Sequence, residues 1–422
     1  MAVRTALRKQ VEVDSPTRRI AIGAVFLVLG LITLFVFASG VGPEDQSSFG
    51  LNASGATTQV DPWKVPALTA LYVIAAFVLG AGGYQMFRGF HHRTNQVLAL
   101  VVFAFMFGFL VWAAAGKSLN LAGLVSTTLS KAVPITLGAL SGILCERAGV
   151  VNIAIEGMML SGALTGAIVG SVSGSLWVGL LAAMLTGLLM ALLHGWLSIK
   201  YKVNQIISGT VINIFATGLT SYISAKFLQH NEALNNPGIF QPFNIPGLVD
   251  IPFIGAILFR NNIFVYALFI FLIVMQVALF NTRWGLRMRA VGEHPKAADT
   301  LGINVIRTRY YSVMLGGLMA GFAGGYFTLG SVGRFDEVMT AGRGFIGLAA
   351  MIFGNWTPFG SFGAGLLFGF ADALATRLAI LQIPIPSEFL LMAPYVATMI
   401  ILAGVVGRSQ APAADGVPYE KE

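Results

Sequence analysis

Apolar residues in this chain come in long unbroken runs, separated by short clusters of basic, Pro, Gly and small polar residues. A bilayer core needs about 20 mainly apolar residues per helical crossing. Runs of that length lie near 20–38, 65–87, 96–115, 121–144, 150–172, 175–198, 203–228, 262–280, 310–333, 360–380 and 389–407. A shorter apolar piece, 344–356, either crosses or re-enters. Transmembrane barrels read as short alternating segments, which this pattern excludes. The expected fold is an all-α polytopic membrane protein with 11 or 12 membrane segments. The first run follows basic residues and precedes Ala38-Ser39-Gly40, as a signal peptide would. Its length exceeds the roughly 7–15 residues of a signal-peptide core, so a retained anchor is expected.

Composition agrees. Of 422 residues, 56% are hydrophobic and only 10% charged, against about 25% charged in soluble domains. That excludes a water-soluble globule and a disordered chain, and the single Cys145 excludes a disulfide scaffold. The net charge of +8 would suit a nucleic-acid partner if the basic residues were clustered for one. They follow topology instead. Counting 344–356 as a crossing gives twelve and puts both termini on one side, and 18 of the 26 Lys and Arg then fall on that side. Positive residues accumulate on the cytoplasmic face, so both termini are expected in the cytoplasm of a multi-pass cytoplasmic-membrane protein, with anionic lipid as the basic residues' partner and no nucleic acid.

Along the chain, 1–19 reads as a cytoplasmic basic tail, 20–115 as N-terminal transmembrane helices, 121–407 as the core and 408–422 as a short mobile tail. Two outer loops are longer than the rest. Residues 39–64 are small, polar and weakly acidic, while 229–261 carry Pro237, Pro242, Pro246 and Pro252 among aromatics. The second loop lies on the membrane surface or docks an external partner. The inner segment 281–309 predicts a helix of about two turns, opened by Pro295 and ended by Gly302, with Ala297, Ala298 and Leu301 on one face. So short a helix needs a groove to lie in. Glycines at i, i+4 (Gly162, Gly166, Gly170, Gly174; Gly317, Gly321, Gly325; Gly365, Gly369) predict close helix packing.

Candidate chemistry is sparse. Gly116-Lys117-Ser118 resembles the end of a phosphate loop but lacks its first Gly and a preceding strand. Gly342-x-Gly344-x-x-Gly347 matches a dinucleotide pattern without a βαβ unit, and both are taken as chance matches. The five histidines have no metal spacing. Neither catalytic residues nor a metal site is expected. Asn152 and Glu156 lie at i, i+4 in an apolar segment, followed by Gly157, which permits a helix break. An acidic group at that depth costs about 2.5–3.5 kcal/mol on insertion scales, so it faces either a partner helix or a polar pathway. Gln205, Gly209 and Asn213 form a second polar stripe, and Asn355 closes the short segment that begins at Gly344. Interrupted segments therefore occur in each of two weakly similar halves, at 150–172 and 344–369, the pattern of a midplane translocation site. Asn152, Glu156, Gln205, Asn213 and Asn355 are its candidate lining residues.

Three motifs carry a family likeness. The runs C-E-R-A-G-V-V-N-I-A-I-E-G-M-M-L-S-G-A (145–163), R-A-V-G-E-H-P-K-A-A-D-T-L-G-I (289–303) and A-G-R-G-F-I-G-L-A-A-M-I-F-G-N-W-T-P-F-G (341–360) resemble the branched-chain amino acid/ribose-type permeases of ABC importers, and most of all the simple-sugar and nucleoside subgroup. The likeness spans about 121–407, and the first crossings and the Pro-rich outer loop exceed the usual core. It implies a second homologous permease, a cytoplasmic ABC ATPase carrying ATP and Mg, and an extracytoplasmic substrate-binding protein. It also implies that 281–309 couples to that ATPase through Gly292, Glu293, Pro295, Ala297, Ala298 and Gly302. This chain would bind no cofactor and hydrolyse nothing. An ion-coupled secondary transporter using Glu156 is the competing expectation.

Overall fold

Inside a bilayer a backbone has no water to bond to and must pair within its own segment, so long apolar runs become helices. The computed structural model describes residues 16–381, 389, 392 and 410–421. Among them, ten helices are long and apolar enough to cross a membrane, and they coincide with the first ten expected runs. The expected crossing at 389–407 falls almost wholly outside the described residues, as does most of the N-terminal tail.

The chain divides into two compact units, Met1–Gly123 with Leu378–Pro384, and Leu124–Arg377 with Ile385–Glu422. In the first, α1 (Pro16–Ile32) runs on through tighter and looser turns to Gly40, and α2 (Ala67–Phe87) and α3 (Thr94–Ala113) complete a three-helix group. Phe26, Val78, Ala81 and Val101 form its core. The 39–64 loop is more ordered than a polar composition predicts. Strand β1 (Gln46–Gly50) pairs antiparallel with β2 (Trp63–Pro66), Gln46 opposite Pro66, and parallel with β3 (Ser118–Asn120), Ser48 opposite Ser118. Phe49 on β1 packs against Trp63 and Phe107, which gives the small sheet an apolar face to rest on.

The second unit holds α4 (Leu121–Glu146), α5 (Ile155–Ser173), α6 (Leu176–Gly195), α7 (Gln205–Ile223), the short α8 (Ile254–Leu258), α9 (Ile263–Asn281), α10 (Arg283–Glu293), α11 (Pro295–Thr300), α12 (Val305–Gly325), α13 (Arg343–Phe353) and α14 (Pro358–Ile380). Spans α4, α5 and α12 are innermost: 89%, 72% and 72% of their most apolar stretches are buried, against 28–33% for the spans of α6, α7 and α9. The glycine rows bring α5, α6 and α12 together. A Cβ on Gly162 would stand 3.1 Å from Gly321 Cα, and Gly187 and Gly324 lie directly on the backbones of Gly317 and Met159. In the Pro-rich outer segment, α8 and the pair β4 (Phe243–Asn244) and β5 (Arg260–Asn261) interrupt otherwise irregular chain.

One open alternative is decided and two expectations change. The 344–356 piece forms an 11-residue helix, α13, which rises about 16 Å and cannot alone span a core of about 30 Å. Irregular chain supplies the rest. Phe335 N donates to Asn235 Oδ1 (2.7 Å) at one end of the bundle, and Asn355 O meets Arg147 Nη2 (3.2 Å) at the other. Residues 335–355 thus traverse the bundle as a run of turns followed by a half-helix.

In the 281–309 segment, Pro295 opens α11 as expected, His294 Nδ1 accepts from Ala297 N (3.1 Å), and Gly302 takes a left-handed φ of 80°. The apolar face, however, is split. Ala298 is buried with Val291 and Val305, but Ala297 is exposed and Leu301, lying past the last turn, is 82% exposed. The C-terminal residues, expected to be a mobile tail, are docked. Ala414 N donates to Gly292 O (2.9 Å) and Gln410 N to Asn355 Oδ1 (3.0 Å).

Candidate functional site

Helix α4 ends at Glu146 and α5 begins at Ile155, running unbroken through Gly157, where a break was expected; the turn between the two spans leaves backbone groups that water cannot reach. Neighbouring side chains take them up. Gln205 Oε1 accepts from Val151 N (2.6 Å), Asn213 Nδ2 donates to Ile153 O (2.9 Å), and Asn213 Oδ1 accepts from Gly157 N (2.8 Å). Asn152 Oδ1 turns back to Ala154 N (3.1 Å), while its amide faces Cys145 Sγ and Met158 Sδ. His194 Nε2 lies 3.0 Å from Val151 O. A carbonyl only accepts, so Nε2 carries the proton, and Nδ1 accepts from Ser208 Oγ at 3.1 Å. Gly209 lets α7 come this close: a Cβ there would sit 3.0 Å from Ala154 N.

Glu156 is committed to the start of α13. Oε1 accepts from Thr340 Oγ1 (2.6 Å) and Gly342 N (2.8 Å), and Oε2 from Gly344 N (2.6 Å). The carboxylate therefore caps the N-terminus of α13, where free N–H groups and the helix dipole both favour an anion. The glycines of the apparent dinucleotide pattern make this possible. Gly342 has a left-handed φ of 78°, and a Cβ on Gly344 would stand 2.7 Å from Glu156 Cα. The pattern does what it does around phosphate, with an internal carboxylate as the anion.

The other end of α13 is held as firmly. Asn355 and Trp356 both have φ of 52°, a conformation that costs non-glycine residues about 1–3 kcal/mol each. Trp356 Nε1 donates to Glu146 Oε2 (2.6 Å), Arg147 Nε to Trp356 O (3.0 Å) and Arg147 Nη2 to Asn355 O. Glu146 and Arg147 thus secure this turn.

Between α4, the loosened end of α12 and the start of α13 lies a cavity of about 240 Å³, lined by Ser130, Lys131, Pro134, Tyr326, Phe327, Ser331, Val332, Asp336, Met339 and Arg343. Asp372 on α14 binds both cations through Oδ2, at 3.4 Å from Lys131 Nζ and 3.3 Å from Arg343 Nη2. Arg343 also lies over the Phe327 ring at 5.9 Å. None of Asn152, Glu156, Gln205, Asn213 and Asn355 lines this cavity. Glu156 binds the backbone on either side of the lining residue Arg343, Asn152, Gln205 and Asn213 hold the chain at 151–157, and Asn355 lies at the far end of α13. Lys131 and Arg343 were visible as isolated charges in apolar segments, but their shared partner Asp372 is 241 and 29 residues away. Among the described residues, no group of His, Cys, Asp and Glu could hold a metal ion.

A polytopic bundle with a half-helix beside a polar cavity is the architecture of a membrane transport protein. Residues 124–406 match the family model described as the permease component of the branched-chain amino acid transport system, and the chain belongs to that family. The match begins where the second compact unit begins. The chain is 42% identical over 307 residues to the guanosine ABC transporter permease protein NupQ of Bacillus subtilis, covering 71% of this chain and 96% of the relative. It is 40% identical over 311 residues to the nucleoside ABC transporter permease protein NupC of Lactococcus lactis, with the same coverage. A putative glucose ABC transporter permease protein of Haloferax volcanii is 34% identical over 257 residues, 61% of this chain and 78% of that one. No solved structure matches.

Proposed function

We propose that this chain is the permease subunit of an ABC importer that moves a nucleoside, or secondarily a simple sugar, across the cytoplasmic membrane, with ATP and Mg bound on partner ATPases. The observation that carries the substrate class is that the charges at the cavity are already paired. Lys131 and Arg343 share Asp372, Asp336 pairs with Arg334, and the N-terminus of α13 is already occupied by Glu156. A zwitterionic amino acid needs an uncompensated charge or an open helix end; a neutral hydroxylated ligand needs hydrogen bonds and an aromatic surface, which Ser130, Ser331, Tyr326 and Phe327 provide. The names of the two 40–42% identical relatives support the same class.

In this reading substrate passes through the cavity, while Asn152, Gln205 and Asn213 hold the chain at 151–157 and Glu156 holds the start of α13. Segment 281–309 faces the ATPase, with Ala297 and Gly302 outward, Pro295 half-buried, Gly292 and Ala298 packed inward, and Glu293 tied to the C-terminal residues. Closure of the ATPases would move α10 and α11 as a rigid body, and the cavity would change the side it faces. A substrate-binding protein delivers ligand from outside, and a second homologous permease completes the pathway. The secondary-transporter reading is disfavoured by Glu156, whose two oxygens already accept three hydrogen bonds.

The test is uptake of radiolabelled guanosine, xylose and leucine into proteoliposomes holding the chain with its co-purified partners. ATP-dependent, ionophore-insensitive guanosine uptake is expected. Uptake that persists without ATP and collapses with an ionophore would instead make the chain a secondary transporter.

A further inference from the structure

The eleven residues Gln410–Glu420 touch four separate elements on the face that carries α10 and α11. Gln410 N donates to Asn355 Oδ1 at the end of the half-helix. Ala413 N donates to Glu293 Oε2 (3.2 Å) and Ala414 N to Gly292 O (2.9 Å), at the end of α10. Val417 O accepts from Arg309 Nη1 (2.9 Å) at the foot of α12, and Tyr419 packs on the cluster of Val291, Ala298 and Val305. Glu420 forms an ion pair with Lys202 in the turn before α7.

Two facts separate this from an idle tail. Arg309 is only 1% exposed, and burying a guanidinium is costly unless its position is used. Among the described residues its Nε and Nη2 have no hydrogen-bond partner, and Asp415, within electrostatic reach of Arg309, is hydrogen-bonded to Glu146 at the end of α4. The elements it joins also lead to the cavity. Helix α12 ends in the turn carrying Tyr326 and Phe327, and α13 begins at Arg343.

We propose that Gln410–Glu420 is a strap that transmits movement of α10 and α11 to the two elements lining the cavity, with Arg309 as the positioning residue that seats it. The proposal rests on the importer reading above. A strap works by being attached at both ends: α10 pulls at Ala413 and Ala414, and the load reaches α13 at Asn355 and α12 at Arg309.

The experiment compares the reconstituted complex of the full-length chain with three variants: a chain ending at Ser409, Arg309→Gln and Arg309→Lys. Measured for each are recovery of the partners on purification, ATP hydrolysis rate, and guanosine taken up per ATP hydrolysed. For the truncation and R309Q, intact assembly and near-normal hydrolysis are expected, with uptake per ATP reduced about fivefold or more, the lower end of typical coupling between sites. R309K, which keeps the charge, should recover part of the loss. Unchanged uptake per ATP in the truncated chain overturns the strap, as does loss of partners in parallel with loss of uptake, which would make the segment an assembly element. If the full-length complex itself shows no ATP-dependent uptake, the importer reading has failed, and the defect cannot be assigned to the strap.

Discussion

Replacing Glu156 distinguishes a clamp from a substrate contact, because its three bonds are all internal. In Glu156→Gln the shape is kept and one oxygen can still serve Thr340 and Gly342. The amide nitrogen then faces Gly344 N–H, donor against donor, in a site where Glu156 is 8% exposed. One charge-assisted bond is lost, at about 1.5–3 kcal/mol, and a buried donor is left unmet, at about 1–3 kcal/mol. Since the two are not independent, about 2–4 kcal/mol is expected for E156Q. Glu156→Ala strands both backbone N–H groups and removes the anion from the helix end, for about 3–6 kcal/mol. The assay is thermal unfolding of the detergent-purified protein, with amide exchange of residues 343–353. Exchange there should accelerate before the rest of the core, since only the clamp has changed. Normal stability and exchange in E156Q would refute the clamp, and if uptake were lost at the same time, the carboxylate would be handling substrate or an ion.

Other consequences follow from the same geometry. Asp372→Asn leaves Lys131 and Arg343 facing each other without a counter-charge, so guanosine uptake should fall about tenfold, and the double variant with Lys131→Gln should recover part of it, as coupled neighbours do; additive losses would show the pair to be independent. Gly187→Val has no room against Gly317 on α12 and should destabilise by about 1–3 kcal/mol or more in thermal unfolding, whereas Gly80→Ala, with nothing within 4 Å of the new Cβ, should be neutral or slightly stabilising. Burial pushes the Asp415 carboxyl up to about 6. The docked state therefore favours the protonated acid, and docking of 413–417 should be tightest below the ordinary carboxylate range, weaken as pH rises from about 4 to about 6 by some 2–3 kcal/mol, and stay level above that. Amide exchange corrected for its intrinsic pH dependence reads this directly, and protection that rises with pH would contradict it.

The ten described spans were legible because each is a local property: an apolar run of sufficient length must be helical in lipid whatever surrounds it. Pro295 and Gly302 marked α11 for a similarly local reason, since each fixes its own backbone angle. The polar residues Asn152 and Glu156 marked the neighbourhood of the turn before α5, but the break expected at Gly157 does not occur, since α5 runs through it. What those residues do was not legible. Glu156 and Gly344 meet across 188 residues, and His194 reaches Val151 across 43. No spacing rule reports whether a buried carboxylate faces a ligand or a helix end of its own chain. Composition also misjudged the C-terminal residues, which are small and polar yet hold their place through backbone N–H groups that any non-proline sequence provides.

The sequence by itself therefore determined that the chain lives in a membrane, where the ten described spans cross and which family it resembles. Tertiary structure alone decided which polar groups satisfy the backbone between helices and which enclose the cavity. It also decided that a glycine pattern associated with phosphate holds an internal carboxylate. Apolar burial is fixed by neighbours along the chain, whereas partners for a lone charge in a low-dielectric interior are found only in three dimensions.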